Sequence, residues 1–333
     1  MDTEFVILLV VIVLALIFDF VNGFHDTANA IATVVATRVL SPLQAVGMAG
    51  VLNFLGALSG TAVATTVGKG IVEPGAVTQQ LVISALLSAI VWDLLTWYYG
   101  IPSSSSHALV FSIVGAGIAS GGLGVLVWTG IEKVLIGLVT SPVLGLASGF
   151  IFMVALLNTF ARTHPAFVSR FFGRAQLASS MYMAFSHGSN DAQKTMGVIT
   201  MSLAAYYGWT GSDWEVPLWV IIAAATAMGL GTACGGWRII KTMGHKIVDL
   251  KPIHGFAAET TAATIIELAT RLGIPISTTH VISSTIMGVG ATGNRRAVRW
   301  GVAGNIVTAW IVTIPACILM GWLFSSVLHA LIQ

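Results

Sequence analysis

Ten apolar stretches, each about as long as a membrane-spanning helix or longer, dominate this sequence of 333 residues. A transmembrane helix needs about 20 predominantly apolar residues. The stretches lie at 5–36, 43–66, 79–100, 101–119, 125–160, 175–205, 217–236, 253–272, 274–292 and 300–331. Only 8% of the residues are charged, against about 25% in soluble domains. Because helices satisfy their own backbone polar groups in lipid, the sequence predicts an all-α integral membrane protein.

Two of these stretches do not fit a single straight helix. Stretch 5–36 would be about 48 Å long as a helix, whereas the hydrocarbon core of a bilayer is about 30 Å thick. We expect it to be interrupted at Asn22-Gly23. Stretch 101–119 is short and begins with Pro102 and four serines, which predicts a broken or re-entrant helix.

The second half of the chain resembles the first. Three pairs of segments match in the same order, at offsets of 165 to 176 residues: "FVNGFHDTANA" (20–30) with "FSHGSNDAQKT" (185–195), "VGKGIV" (67–72) with "MGHKIV" (243–248), and "GIPSSSSHALVFSIVGAG" (100–117) with "GIPISTTHVISSTIMGVG" (273–290). Because each half carries five apolar stretches, an odd number, the second half is expected to be inverted in the membrane. Inverted repeats with interrupted helices are typical of secondary transporters, whose substrate site lies where the repeats meet.

The repeat also predicts the division of the chain and its orientation. We expect a first repeat at 1–160, a basic cytoplasmic linker at 161–174 and a second repeat at 175–333. Cytoplasmic loops of membrane proteins accumulate Lys and Arg. Three clusters of basic residues are therefore placed inside: Arg162, Arg170 and Arg174; Arg238, Lys241, Lys246 and Lys251; and Arg295, Arg296 and Arg299. Both termini and the segment 206–217 are then external, and we expect a multi-pass protein of the plasma membrane.

The matched motifs "GIPSSSSH" and "GIPISTTH" combine helix-stopping residues with hydroxyl side chains. Ser or Thr beyond such a stop is a preferred N-cap of the next helix, and a helix N-terminus attracts anions. Two such ends would form a cradle for a tetrahedral oxyanion. Hydroxyls in membrane helices often bond to their own helix instead, but the duplication favours binding. The candidate substrate ligands are Ser103, Ser104, Ser105, Ser106, Ser277, Thr278, Thr279, Asn29 and Asn190.

Asp26 and Asp191 stand at matching positions of the two halves. An ionised carboxylate only accepts hydrogen bonds, and at the centre of a membrane it costs roughly 2.5 to 3.5 kcal/mol on the insertion scale. It therefore needs a cation, and we predict that both aspartates bind the coupling ion, which is a proton or sodium. The alternative for Asp191 is a structural ion pair with Lys194, one helical turn later.

Other side chains are candidates for the shell of this cation. Asn29, Asn190 and unwound carbonyls near Gly23 and Gly188 would supply oxygens. His25 stands where the second half has Asn190, and it either carries a coupling proton or is simply hydrogen-bonded.

Three further residues are singled out by their place in the pattern. Glu259 is expected to face the interior and to contribute to the cation site. His107 and His280 follow the two hydroxyl clusters, and we expect them to pack or to cap a helix.

Several motifs resemble those of the inorganic phosphate transporter (PiT) family, in particular its bacterial members. They are "NGFHDTANAIAT", "SHGSNDAQKTMG", "GGWRIIKTMGHKI", "GFAAE" and "GIPISTTHVISS", and the resemblance covers nearly the whole chain. It implies a homodimeric symporter of inorganic phosphate, driven by sodium or protons and built from inverted repeats. The family's essential aspartates fall on Asp26 and Asp191, and its glutamate falls on Glu259.

The resemblance also indicates where the chain departs from the family's animal members. Those sodium-coupled members have Asn-Asp in the first motif and an acidic residue near the end of the second segment, where this chain has His25-Asp26 and Thr65. Bacterial members with the motif "NGFHDTAN" resemble proton-driven carriers of phosphate, often carried as a neutral complex with a divalent metal. Some bacterial members carry sulfate.

Other classes of function fit the sequence less well. An intramembrane hydrolase would need one Ser-His constellation, whereas these are duplicated and lack an acid partner beside each histidine. An ion channel would show symmetric rings of carboxylates across subunits. No cofactor is expected, and no basic patch with interleaved aromatic residues suggests nucleic acid. Cys234 and Cys317 lie in apolar runs and are predicted to be free packing thiols.

Overall fold

The computed structural model describes residues 3–209, 214–293 and 295–332. Twelve α-helices follow one another: α1 Thr3–Ala36, α2 Pro42–Ala57, α3 Ala62–Gly70, α4 Gln79–Tyr99, α5 Ser105–Gly121, α6 Trp128–Thr159, α7 Pro165–Tyr207, α8 Leu218–Cys234, α9 Trp237–Lys241, α10 Pro252–Arg271, α11 Thr278–Ala291 and α12 Trp300–Ile332. Short 3₁₀ turns occur at Pro74–Ala76, Leu123–Val125 and Arg295–Ala297, and a π-helical turn follows α9 at Thr242–Lys246. No β-strand occurs within the described ranges. The predicted all-α class is confirmed.

The interruption predicted at Asn22-Gly23 is wrong. α1 continues as one helix of 34 residues through both positions, and α7 continues through Gly188. A Cβ atom at Gly23 would lie 2.6 Å from the carbonyl oxygen of Met228 in α8, so this glycine allows two helices to cross closely. The carbonyls that we expected to be unwound and to bind a cation therefore belong to continuous helices, and that of Gly23 accepts a hydrogen bond of 2.7 Å from the Thr27 hydroxyl.

Breaks occur elsewhere, at places that the sequence analysis did not single out. α2 and α3 are bent by 71°, and α8 is bent by 57° from α9 and the π-helical turn. The predicted breaks before α5 and α11 are present, since each of these short helices follows a non-helical segment, at 101–104 and 274–277. α7 begins at Pro165, so most of the predicted linker 161–174 is helical.

Four helices, α1, α4, α6 and α12, are long and apolar enough to cross a membrane, and the two bent pairs raise this number to six. The remaining predicted stretches became α5, α7, α10 and α11. α5 and α11, at 17 and 14 residues, are shorter than a span, and most of α11 is buried in the protein. Six of the ten predicted stretches therefore qualify as spans by length and composition in the described part of the chain.

The two halves pack against each other through matched contacts. α2 packs on α7 as α8 packs on α1, and α5 packs on α12 as α11 packs on α6. A Cβ atom at Gly56 would lie 2.0 Å from the carbonyl oxygen of Phe185, and one at Gly231 would lie 2.1 Å from that of Phe20. Such reciprocal contacts are those of a two-fold arrangement.

Buried polar residues separate two apolar clusters, a first cluster that contains Leu8 and a second cluster that contains Ile31. In α1, the first cluster ends at Val21 and the second begins at Ala28. In α7 the order is reversed, since the second cluster extends to Ala184 and the first resumes at Ala192. α1 and α7 thus pass through the interior in opposite directions, which supports the inversion of the halves. That inversion in the membrane stays a prediction.

Candidate functional site

The two aspartates that the repeat singled out lie together in the interior. A carboxylate oxygen of Asp26, one of Asp191 and a ring nitrogen of His187 all lie within 4.8 Å of one another. All three residues are at most 2% exposed. α1 supplies Asp26 and α7 supplies the other two, so one site draws on both halves of the chain.

The aspartate of the first half is paired with histidine. His25 Nδ1 lies 2.6 Å from Asp26 Oδ1, and His25 Nε2 lies 3.0 Å from the Thr96 hydroxyl on α4. The Ser103 hydroxyl donates to Thr96 Oγ1 over 2.9 Å and lies 3.4 Å from His25 Nε2. Ser103 therefore belongs to the surroundings of His25.

The aspartate of the second half is paired with lysine. The Lys194 ammonium donates to Asp191 Oδ1, which forms the ion pair considered as an alternative from the sequence. The Thr278 hydroxyl donates to Asp191 Oδ2 over 3.2 Å, and His187 Nε2 lies 3.3 Å from the same oxygen. His187 Nδ1 lies 2.6 Å from Asn53 Oδ1 on α2. Asp191 is thus held by three neighbours.

Hydroxyl side chains cap α5 and α11 as predicted. Ser104 accepts a hydrogen bond of 3.3 Å from the backbone N–H of His107, and Ser277 accepts one of 3.2 Å from that of His280. The His107 and His280 rings lie 4.8 Å apart between centroids, so the first turns of the two helices meet. The ring of His280 also stacks on Trp310. Both histidines therefore pack, and the serines provide the caps.

Each half reaches the hydroxyl cluster of the other half. Asn29 Nδ2 donates to Thr279 over 2.9 Å and to Thr278 over 3.2 Å. Lys194 donates to the Ser106 hydroxyl. All seven residues of the two predicted clusters are buried, at 5% exposure or less. Ser105 Oγ lies beside the buried Asp93 carboxylate on α4, so this hydroxyl is shared between the cluster and that carboxylate.

The predicted ligands Asn190 and Glu259 bond to other side chains than those of the two hydroxyl clusters. Asn190 Nδ2 donates to the Thr270 hydroxyl on α10 over 2.8 Å, as His25 contacts Thr96 in the first half. The prediction that Glu259 joins the aspartates is not supported by its contacts. Its oxygens accept hydrogen bonds from three other side chains, Thr33 at 2.5 Å, Ser179 at 2.5 Å and Gln176 at 3.1 Å. These donors fully engage the carboxylate within a separate polar cluster.

The sequence analysis missed three buried groups near these residues. His187 stands where the first half has Asn22, and only the fold reveals that it meets both aspartates. Asp19 on α1 and Asp93 on α4 are fully buried carboxylates, and their hydroxyl neighbours are Thr195 and Ser105, respectively. A carboxylate within an apolar run was the available signal for both, and it is the signal that identified Asp26.

A groove of about 700 Å³ lies between α6 and α10. Gly273, Ile274 and Ile276 line one end of it, and Ile276 directly precedes the second hydroxyl cluster. Neither aspartate lines this groove, and both are buried. The groove therefore reaches the backbone beside the cluster, while the site itself is closed.

Comparison with known proteins identifies consistent relatives. Residues 22–321 match the model of a family described as "Phosphate transporter family". The chain is 45% identical over 323 residues to a "Probable low-affinity inorganic phosphate transporter" of Bacillus subtilis, covering 96% of this chain and 97% of that one. It is 48% identical over 317 residues to a protein of the same description from Rhizobium meliloti, covering 95% of each. A solved structure described as "The sodium-dependent phosphate transporter" superposes with a TM-score of 0.87 at 28% identity, covering 98% of this chain and 99% of that one.

Proposed function

Because the chain belongs to the phosphate transporter family, as its motifs predicted, we propose that it is a symporter that imports inorganic phosphate together with a cation. It is a multi-pass, all-helical membrane protein. Its relatives are named as transporters, in agreement with the expectation that it is not an enzyme. The coupling ion is a proton or sodium.

One observation carries this proposal: two aspartates from matching helices meet beside two capped helix N-termini. The N-termini of α5 and α11 offer backbone N–H groups and hydroxyls, which suit a tetrahedral anion. Asp26, which has no Lys or Arg partner among the described residues, offers negative charge that suits a cation. Asp191 lies beside it and is paired with Lys194. An anion and a cation that bind side by side compensate each other's charge, which lowers the cost of holding either in the membrane interior.

Transport then requires that the closed site open to each side of the membrane in turn. We propose that the repeats at 1–160 and 175–333 are inverted and that the core around the aspartates moves against α6 and α12. α6 packs on α11 and α12 packs on α5, so each long helix supports the helix that carries a hydroxyl cluster.

The placement in the cell belongs to the same proposal. The protein is a homodimer of the plasma membrane, with the basic clusters inside and both termini outside. Residues 1–2, and 210–213 of the external segment predicted at 206–217, lie outside the described residues.

Phosphate uptake into proteoliposomes tests the proposal. The purified full-length protein is reconstituted, and uptake is followed under an imposed pH gradient, under an imposed sodium gradient and with neither. We expect accumulation under one of the two gradients, which also identifies the coupling ion. Uptake that responds to neither gradient would refute symport. Sulfate is the alternative substrate, and stronger inhibition of uptake by unlabelled phosphate than by sulfate would exclude it.

A neutral complex of phosphate with a divalent metal is a second candidate cargo, and His187 is the observation that favours it. Two carboxylate oxygens and an imidazole nitrogen within 4.8 Å are a donor set that suits divalent transition metals better than sodium. Uptake of labelled manganese that requires phosphate would support this cargo. Equal phosphate uptake with and without a metal chelator would exclude it.

A further inference from the structure

Lys194 and Asn29 occupy matching positions in the two halves. Each residue follows the aspartate of its own half by three positions. Each donates a hydrogen bond to the hydroxyl cluster of the opposite half, Asn29 to Thr279 over 2.9 Å and Lys194 to Ser106. The halves thus use the same contact, but one of them makes it with a neutral amide and the other with an ammonium ion.

This difference changes the charge around the two aspartates. Lys194 is 1% exposed and forms an ion pair with Asp191. Asp26 has no ion pair with Lys or Arg among the described residues, and its neighbour is His25. Because a buried lysine charge is stable only when it is paired, Lys194 and Asp191 form a unit in which the carboxylate is already neutralised.

The ammonium of Lys194 also contacts the predicted oxyanion cradle. It donates to Asp191 on one side and to Ser106 on the other. Lys194 thus lies between the Asp191 carboxylate and the hydroxyl cluster of α5. A coupling cation that bound to Asp191 beside a substrate anion would occupy the same position. Lysine is a compact point charge with three donors, so it can bond to Asp191, to Ser106 and to an incoming oxyanion at the same time.

We propose that Lys194 is a built-in cation that takes the place of one transported coupling ion at Asp191. This inference rests on the proposed symport of phosphate and a cation. The ammonium neutralises Asp191 in every state of the cycle and donates to the substrate anion. Only the site at Asp26 then exchanges a coupling ion. A chain with asparagine at both position 29 and position 194 would need one more transported cation for each phosphate.

The test removes the built-in charge and asks whether an external cation replaces it. Lys194→Asn gives the second half the residue that the first half has at position 29. Equilibrium binding of labelled inorganic phosphate to the purified full-length protein is measured in mixtures of sodium chloride and choline chloride at constant ionic strength and pH. If uptake identifies sodium as the coupling ion, we expect the slope of log affinity against log sodium concentration to rise by about one relative to the unchanged protein, and phosphate affinity without sodium to fall by about tenfold or more. If uptake identifies the proton, we expect the same rise in the magnitude of the slope of log affinity against pH, measured without sodium.

A double variant serves as the control for charge and for folding. In Asp191→Asn/Lys194→Asn neither member of the pair is charged, so no carboxylate is left unpaired. We expect this variant to bind phosphate more weakly but with the sodium slope of the unchanged protein. It also provides the measurement if Lys194→Asn alone fails to fold, since a higher sodium slope in the double variant would contradict the inference.

The remaining outcomes separate this inference from the proposed function. Unchanged dependence of phosphate affinity on both sodium concentration and pH in folded Lys194→Asn would show that Lys194 does not replace an ion, while symport by the unchanged protein would stand. Absence of phosphate binding by the unchanged protein would overturn the proposed function and this inference with it.

Discussion

The two aspartate sites stand at equivalent positions but differ in what neutralises them. Asp26 in the first half faces His25 at 2.6 Å, whereas Asp191 in the second half is bonded to Lys194 and Thr278 and lies beside His187. A histidine can gain or lose a proton near neutral pH, whereas a buried ammonium requires a charged partner such as a carboxylate.

The different neighbours of Asp26 and Asp191 indicate how a duplicated chain can keep one backbone arrangement and differ in its polar side chains. The backbone crossings are shared, since Gly23 and Gly188 both lie where a helix of one half crosses a helix of the other. Substitutions at a few polar positions then give the two aspartates different neighbours, a histidine at Asp26 and a lysine at Asp191.

Replacing each aspartate by asparagine should have the largest effect, and an unequal one. Asp191→Asn leaves the Lys194 charge buried without its partner, which costs about 3 to 5 kcal/mol. Asp26→Asn leaves no buried lysine behind and costs about 1 kcal/mol, because an amide oxygen still accepts from His25. Thermal unfolding in detergent measures the difference, and equal losses in the two variants would contradict the assigned pairing.

Both variants should also lose phosphate accumulation under an imposed gradient. Each removes a carboxylate that the proposed cycle needs, and uptake into proteoliposomes with matched protein content measures the loss. Normal accumulation by both variants would mean that the aspartates are structural.

Alanine at the two crossing glycines should destabilise both halves alike. The added Cβ would lie 2.6 Å from Met228 O at Gly23 and 2.2 Å from Asn53 O at Gly188. Because a backbone atom cannot move aside easily, each variant should lose about 1 to 3 kcal/mol. Gly47→Ala on α2 is the matched control, since nothing lies within 4 Å of its added Cβ. A large loss in only one half would show that the crossings are not equivalent.

Glu259→Gln should weaken the polar cluster that joins α1, α7 and α10 around this carboxylate. Glu259 accepts from Thr33, Ser179 and Gln176, and the offset that aligns the two Gly-Ile-Pro motifs places an apolar residue, Leu86, at this position of the first half. An amide NH₂ cannot accept, so one hydroxyl must turn to accept from it, and the remaining bonds lose the strength that the carboxylate charge gives them. The cost should be about 1 to 2 kcal/mol. Glu267→Gln on the same helix is the control, because its partner Arg271 is exposed and a surface pair contributes under about 1 kcal/mol.

Features that repeat along the chain were predictable from the sequence. The caps at Ser104 and Ser277 follow from a local pattern of helix stop and hydroxyl, and the structure contains both. The meeting of Asp26 with Asp191 followed from the duplicated motif and from the rule that such repeats share a central site. Local chemistry and symmetry thus identified much of the site.

Features that depend on contacts between the halves were not predictable. Asn22-Gly23 indicated a helix break because glycine and asparagine favour one locally, but packing of α1 on α8 keeps the helix continuous. The role of His187 could not be predicted from the motif that contains it, because its partner Asn53 lies 134 residues away in the sequence. Position in a sequence does not reveal which of two polar residues meets a partner on a distant helix.

Asparagine at position 25 should have the smallest effect on stability and the most specific effect on function. His25→Asn gives the first half the residue that the second half has as Asn190, whose amide donates to Thr270 over 2.8 Å. The new amide can make the equivalent contact to Thr96, so the loss should be about 1 kcal/mol or less. If His25 carries the coupling proton, uptake driven by a pH gradient should disappear in this variant. Binding of phosphate at fixed pH should persist, because His25 contacts neither Ser106 nor Thr279 directly. Retention of pH-driven uptake would instead assign the exchangeable cation to the Asp26 carboxylate alone.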